Sequence, residues 1–321
     1  MRTFFTFFAT LSLVSAALNN TCKTRSQRKA WHTLTDSEKS EYIEAVECLQ
    51  SGAPQLNIDG AESRWDEIQY VHVVQTSVIH NVGAFLPWHR MYVRAVEYLL
   101  QSECGYTGGQ PYWNETRDVG AIAKSTIWDA DAGFGGNGTG MDLCVEDGPF
   151  ANLTLHFVKN AGRSDYCLSR DWDEETLDGA SQSEIDVCLD SVDFETVWDC
   201  LEGQPHAAGH GGTGGTMSDL SSSSGDPLFF LHHAWLDKIW WEWQSQNSSR
   251  LTEIGGDNVP PDSYYDFTGL DYPSAAILDY DGDPGNTTTL NHNLWMAGIT
   301  DNFTIGDVMD LDNNLNCAEY V

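Results

Sequence analysis

Seven of the ten histidines fall into two groups: His72, His80 and His89, then His206, His210, His232 and His233. A lone histidine is ordinarily a packing or surface residue, but imidazoles grouped in this way form a metal-ligand pattern. His206 and His210 are four apart and would share one face of a helix, so both could reach one ion. A zinc peptidase needs Glu directly after the first histidine of such a pair, and Ala207 stands there. His72 and His80 are eight apart, ~12 Å of rise on a continuous helix. That is too far for two bonds of ~2 Å to one ion. A shared ion therefore requires the helix to end between them, and Asn81-Val82-Gly83 marks such an end. Neither group holds a cysteine or the interleaved carboxylates of a calcium or magnesium site. Neutral imidazoles suit copper, zinc or iron, and a pair of coppers could exchange two electrons at once.

These side chains need helices to position them. Thr35-Asp36-Ser37-Glu38 is a capping box that predicts a helix to about Gln50. A second helix is predicted from Arg64 to about Gln75, with Trp65, Ile68, Val71 and Val74 near one face. A third runs from Pro87 to Gln101. Asp226-Pro227, a capping residue followed by proline, opens a fourth to about Gln244. From about Gly105 to Gly203 the chain is rich in Gly, Asp and Asn and reads as long ordered loops, braced by Cys144, Cys167 and Cys188. After Trp243 come loops and short strands, with Pro260-Pro261 as a strong breaker. Gly209 to Gly215 is glycine-rich but lacks the lysine and preceding strand of a phosphate-binding loop.

Composition sets outer bounds. The 321 residues are 41% hydrophobic and 12% aromatic, enough to fill a core. Lys plus Arg is 16 against 48 for Asp plus Glu, a formal charge of -32. Such a surface repels nucleic acid and anionic membranes. Arg2, the apolar run Phe4 to Val14, and Ser15-Ala16-Ala17 read as a secretory signal over residues 1–16, cleaved after Ala16 or Ala17. No later stretch reaches the ~20 apolar residues of a membrane span. All eight cysteines follow the signal. An even count in an exported chain implies disulfides, with roughly a hundred pairings open. No Cys-x-x-Cys pair occurs. Sequons at Asn19, Asn114, Asn137, Asn152, Asn247, Asn286 and Asn302 fit a glycosylated surface.

The histidine motifs resemble those of the type-3 copper proteins, the tyrosinases, catechol oxidases and hemocyanins, and are most similar to short secreted fungal polyphenol oxidases. The first copper motif is matched by His72 and by His80-Asn81-Val82-Gly83-Ala84-Phe85-Leu86-Pro87-Trp88-His89-Arg90. The second is matched by Pro205-His206-x3-His210, then Asp226-Pro227-Leu228-Phe229-Phe230-Leu231-His232-His233, with Asp237 and Trp240 following. Pro111-Tyr112-Trp113-Asn114 resembles the family's Pro-Tyr-Trp-Asp, with Asn in place of Asp. The similarity runs from about Trp31 to the end and is weaker between residues 115 and 195.

The resemblance implies a mainly α fold: a four-helix bundle holding a binuclear copper site, with long ordered loops and a few short strands. Residues 17–321 would be a single catalytic domain without a C-terminal plug. His72, His80 and His89 would bind the first of two copper ions and His206, His210 and His233 the second. The family uses the second of two adjacent histidines, which leaves His232 a structural role. Arg90 and Asp237 would brace the helices, with Asp237 behind the ligands. Dioxygen is the implied co-substrate, and a small phenol is oxidised to a quinone.

Three departures refine that expectation. Val78 stands two before His80, and no Cys lies between His72 and His80, so the thioether bridge of many relatives is absent. Glu202 matches a glutamate that positions a proton-accepting water, but Ala207 replaces the Asn that assists it and has no side-chain hydrogen bond to offer. Leu220 aligns with a position that gates the first copper, where Leu leaves more room than Phe. The resulting expectation is a secreted oxidase of o-diphenols and o-aminophenols with weak monophenol hydroxylation, acting as a monomer or weak dimer without nucleic-acid or membrane partners. A true tyrosinase with full monophenolase activity, a hemocyanin-like oxygen carrier, a zinc hydrolase and a copper-free relative are the competing readings. His32, His156 and His292 are expected not to be ligands.

Overall fold

The computed structural model describes residues 22, 24–278 and 285–321. The secretory signal at residues 1–16 and the sequon at Asn19 lie outside the described residues. Helix α1 (Asp36–Ser51) opens on the expected capping box: the Glu38 N–H donates to Thr35 Oγ1 at 3.3 Å and the Thr35 N–H to Glu38 Oε2 at 2.8 Å. Helix α2 (Arg64–Ile79) opens the same way on Ser63 and Asp66. It ends where the metal argument required, at Ile79, with His80 in extended conformation at φ -122°. Helix α3 (Phe85–Cys104) starts two residues before Pro87. Proline is tolerated there because first-turn nitrogens have no intrahelical acceptor.

The stretch between residues 105 and 203 is not all loop, as expected from its composition. It contains the antiparallel hairpin β2 (Thr154–Val158) and β3 (Gly162–Cys167), the single turn α4 (Glu174–Leu177), and helices α5 (Gln182–Leu189) and α6 (Phe194–Leu201). Helices of eight residues make little more than two turns, too few for a periodicity to stand out. The Asp193 carboxylate, which accepts the Thr196 N–H at 2.9 Å, was the readable cap. A π-turn (Glu202–His206) joins α6 to α7 (Ala207–Thr213), and α8 (Leu228–Ser245) follows Asp226, whose Oδ1 accepts the Leu228 N–H at 3.0 Å. Beyond it lie α9 (Asp262–Thr268), directly after the Pro260-Pro261 breaker, the short pair β4 (Asn293–Leu294) and β5 (Phe303–Thr304), and α10 (Ile305–Val308).

β1 (Ser26–Arg28) pairs in parallel with β6 (Ala318–Tyr320), bringing the two ends of the described chain together. The eight cysteines form Cys22–Cys317, Cys48–Cys104, Cys144–Cys167 and Cys188–Cys200. They link the ends, α1 to α3, the 144 loop to β3, and α5 to α6. Among the described residues no helix is long and apolar enough to cross a membrane.

Helices α2, α3, α7 and α8 surround the two histidine groups. Their packing is aromatic: Trp65, Tyr92, Phe229 and Phe230 are buried and in ring contact. An ionic brace locks α3 to α8. Arg90 Nε donates to Asp237 Oδ1 at 2.5 Å, and its guanidinium lies 3.7 Å from the Trp240 ring. Asp237 Oδ2 also accepts from Arg28 at 3.1 Å and from the Tyr320 hydroxyl at 2.5 Å, while Arg28 donates to Glu97 at 2.7 Å. These charges are withdrawn from water and paired, the condition on which a buried ion cluster is tolerated.

Candidate metal centre

The first group is assembled at the α2–α3 junction. His72 lies on α2, His80 just after its end, and His89 in the second turn of α3. Each Nδ1 faces a backbone carbonyl: His72 to Ser221 at 2.9 Å, His80 to Thr76 at 3.3 Å, His89 to Phe85 at 2.8 Å. In the second group, His206 Nδ1 faces the Glu202 carbonyl at 3.2 Å and His210 Nδ1 the Met217 carbonyl at 2.6 Å. A carbonyl only accepts, so it selects the tautomer with the proton on Nδ1 and leaves the Nε2 lone pair free. The Nε2 atoms of His72, His89 and His206 are buried without a hydrogen-bond partner, and those of His210 and His233 face each other at 3.4 Å.

Leaving buried polar atoms unpaired is costly, and orphaned imidazole nitrogens that converge are what an ion would satisfy. Within each group one ligand atom per histidine lies within 4.8 Å of all the others. Burial pushes all six imidazoles below their usual range, His72 down to about 3. They are thus in the neutral form that binds metal. The two groups face one another: the His89 and His233 rings stack at 4.3 Å and 9°, and His80 and His206 lie 6.1 Å apart. The brace between Arg90 and Asp237 sits one residue beyond His89 and four beyond His233, so it sets the register of that stack.

His232, adjacent to His233, is fully buried. Its Nδ1 lies 2.5 Å from Glu115 Oε1, its Nε2 has no partner, and it falls within the second group. Burial drives His232 down to about 3 and pushes the Glu115 carboxyl well above its usual range. Glu115 was not singled out from the sequence. The only trace was an acidic residue directly after the Pro111-Tyr112-Trp113-Asn114 motif.

A pocket of about 260 Å³ opens onto the second group. It is lined by His80, His206 and His210 and by Ala207, Met217 and Leu220. Glu202 is not among its lining residues. Its Oε1 accepts the Asn81 N–H at 2.6 Å and its Oε2 the Trp198 indole N–H at 2.7 Å. Burial raises the Glu202 carboxyl to about 8 against these two hydrogen bonds. Val78 points away from this pocket into a separate cavity beside Trp88 and Trp295. His156 and His292 stand outside both groups, at Asp165 and Asn258 respectively.

The common central domain of tyrosinase matches residues 62–246. The chain belongs to the tyrosinase family of type-3 copper oxidoreductases. It is 31% identical to a tyrosinase-like protein of Diaporthe leptostromiformis, over 93% of this chain and 80% of that one. It is 28% identical to the N-acetyl-6-hydroxytryptophan oxidase of Emericella nidulans, over 92% of each. Among solved structures, a polyphenol oxidase variant from Thermothelomyces thermophila superimposes with a TM-score of 0.77 at 28% identity, covering 92% of this chain and 89% of that one. A functional unit of octopus hemocyanin shares the fold at 21% identity and a TM-score of 0.54, covering 92% and 68%.

Proposed function

We propose that this chain is a secreted oxidase that uses O2 to convert o-diphenols to quinones, and o-aminophenols to quinone imines, with weak hydroxylation of monophenols. The described residues act as one catalytic domain holding two copper ions, one at His72, His80 and His89 and one at His206, His210 and His233. The observation that supports this most is the convergence of carbonyl-oriented imidazoles whose Nε2 atoms are buried and unpaired. When bound, the copper pair supplies the two-electron exchange with dioxygen that phenol oxidation needs.

The chain supplies the rest. Backbone carbonyls hold five of the six imidazoles, those of His72, His80, His89, His206 and His210, in the ligand tautomer, so little reorganisation accompanies binding. The pocket, about 260 Å³, suits a single substituted ring, and Leu220 in its lining limits how bulky that ring can be. Hydroxylating a monophenol requires a group positioned to take the phenol proton. Both Glu202 oxygens already accept a hydrogen bond from the protein, and Ala207 offers none. That combination favours diphenols, whose oxidation makes a smaller demand on a base. Four disulfides and fungal relatives support export.

The test is a substrate panel on the copper-loaded enzyme, following oxygen uptake and quinone absorbance. Catechol, 4-tert-butylcatechol and 2-aminophenol are expected to turn over rapidly, and tyrosine and tyramine slowly. Equal rates on tyrosine would mean a full tyrosinase; reversible oxygen uptake without quinone would mean a carrier.

A further inference from the structure

One hydroxyl in the lining of the pocket is left over by the fold. Ser221, Ser222, Ser223 and Ser224 are consecutive and all buried. The Ser221 carbonyl faces His72 Nδ1 at 2.9 Å, the Ser222 hydroxyl donates to Asp219 Oδ1 at 2.7 Å, and the Ser224 hydroxyl donates to the Gln69 carbonyl at 3.5 Å. Ser223 is held by its backbone alone: its N–H donates to the Asp219 carbonyl at 3.0 Å, and its carbonyl accepts the Asp226 N–H at 3.1 Å. Its hydroxyl has no hydrogen-bond partner among the described residues. Ser221 Oγ is likewise unpaired, but it is sealed from solvent. Ser223 Oγ is not sealed, and Ser223 is the serine of this run that lines the pocket. The residue is 1% exposed, so the little solvent it meets is that of the pocket.

The rest of the lining cannot pair a charge. Apart from the three imidazoles it is small or apolar, and it holds no Lys, Arg, Asp or Glu. Its other hydroxyl, that of Ser218, donates to the His210 carbonyl at 3.3 Å. A carboxylate or ammonium that entered would lose water without gaining a counter-ion, and a buried unpaired charge is costly. The formal charge of -32 adds a repulsion for anions. A hydroxyl both donates and accepts, so Ser223 matches a neutral polar group of either kind. Its backbone is already fixed on both sides, so little order is lost when it pairs.

We propose that Ser223 is a substrate-binding residue whose hydroxyl pairs with an uncharged polar substituent on the ring. The substrate class of this pocket is then a neutral catechol or aminophenol carrying a hydroxyl, carbonyl or amide group, rather than an amino acid or a phenolic acid. The proposal rests on the oxidase reading of the same site and goes further in naming what the ring carries.

The experiment compares kcat/KM of the copper-loaded wild type and Ser223→Ala on 4-methylcatechol, 3,4-dihydroxybenzyl alcohol, 3,4-dihydroxybenzylamine and 3,4-dihydroxyphenylacetate. Calorimetric binding of 4-methylphenol and 4-hydroxybenzyl alcohol under argon gives a readout independent of turnover. In the wild type the alcohol is expected to equal or exceed the methyl compound. The carboxylate should fall roughly tenfold or more below both, with the amine between. Ser223→Ala should lower kcat/KM for the alcohol roughly 3–10-fold through KM, weaken 4-hydroxybenzyl alcohol by the same factor, and spare the methyl compounds. An equal effect on alcohol and methyl compound, or none on either, overturns the role of Ser223. A carboxylate or amine accepted as well as the alcohol overturns the neutral class. If Ser223→Ala fails to fold, the wild-type order decides, and an alcohol bound more weakly than the methyl compound overturns the proposal. Oxygen uptake with none of the four catechols would overturn the oxidase reading, while the calorimetry would still report on the pocket.

Discussion

The Asn81 backbone N–H donates to Glu202 Oε1 at 2.6 Å, joining residues 121 apart in sequence. Asn81 directly follows His80 and has a left-handed φ of 55°, a conformation Asn tolerates better than most residues. A carboxylate one turn before His206 thus fastens the loop that carries His80. The Trp198 indole steadies the same carboxylate from its other side. Further along, the Gly83 N–H donates to the Asp257 carbonyl at 3.0 Å, and a Cβ at Gly83 would sit 1.9 Å from the Gly255 carbonyl oxygen. With no cysteine near His80 to bridge to it, these contacts hold the loop. Glu202→Ala should therefore weaken the first-site ion about tenfold and spare the second. Equal weakening of both, or of neither, in a metal titration would argue against the fastening.

Ala207→Asn should raise the ratio of monophenolase to diphenolase rate, on the order of tenfold, by adding a hydrogen-bonding side chain beside the pocket. Initial rates on tyrosine and L-DOPA measure it. An unaltered ratio would remove Ala207 from the account of specificity.

Leu220→Phe puts a larger side chain in the lining of the pocket. The ratio of kcat/KM for 4-tert-butylcatechol to that for catechol should fall roughly tenfold. A proportional change on both substrates would show that Leu220 packs without gating.

The brace gives a stability prediction. Asp237→Asn leaves Arg90 and Arg28 without their shared carboxylate in a dry site, a loss of about 3–5 kcal/mol. Thermal or denaturant unfolding checks this, and a loss under 1 kcal/mol would mean the brace behaves like an exposed pair.

Acid should unfold the protein partly through Glu97. Burial alone would raise this carboxyl, but Arg28 and Arg94 outweigh it and hold it below the usual range. A depressed folded pKa means the contribution is complete above the unfolded value of ~4.3 and is lost as pH falls toward the folded one. Stability measured from pH 6 downward should drop below about 4.3, and Glu97→Gln should flatten that drop. A variant with the wild-type slope would place the acid sensitivity elsewhere.

Much of this was legible in the sequence, and the limits are physical. Thr35, Ser63 and Asp226 are local caps, so the helices they open could be read from neighbouring residues. The break at His80 followed from the reach of a metal bond together with the Asn81-Val82-Gly83 signal. Helices α5 and α6 were hidden by their shortness and by a polar composition that resembles loop. The pairing of β1 with β6, the disulfide map and the contact of His232 with Glu115 join residues 117 to 295 apart in several cases, and no local pattern encodes such a distance. Arg90 with Asp237 was reached only through family resemblance, for the same reason.

The central claim is that two sets of imidazoles meet closely enough to share one dioxygen molecule. Anomalous diffraction at the copper edge, on crystals of the copper-loaded protein, tests it most directly. Two ions about 4 Å apart, one among His72, His80 and His89 and one among His206, His210 and His233, are the predicted result. A single ion, or two separated by more than ~6 Å, would contradict it.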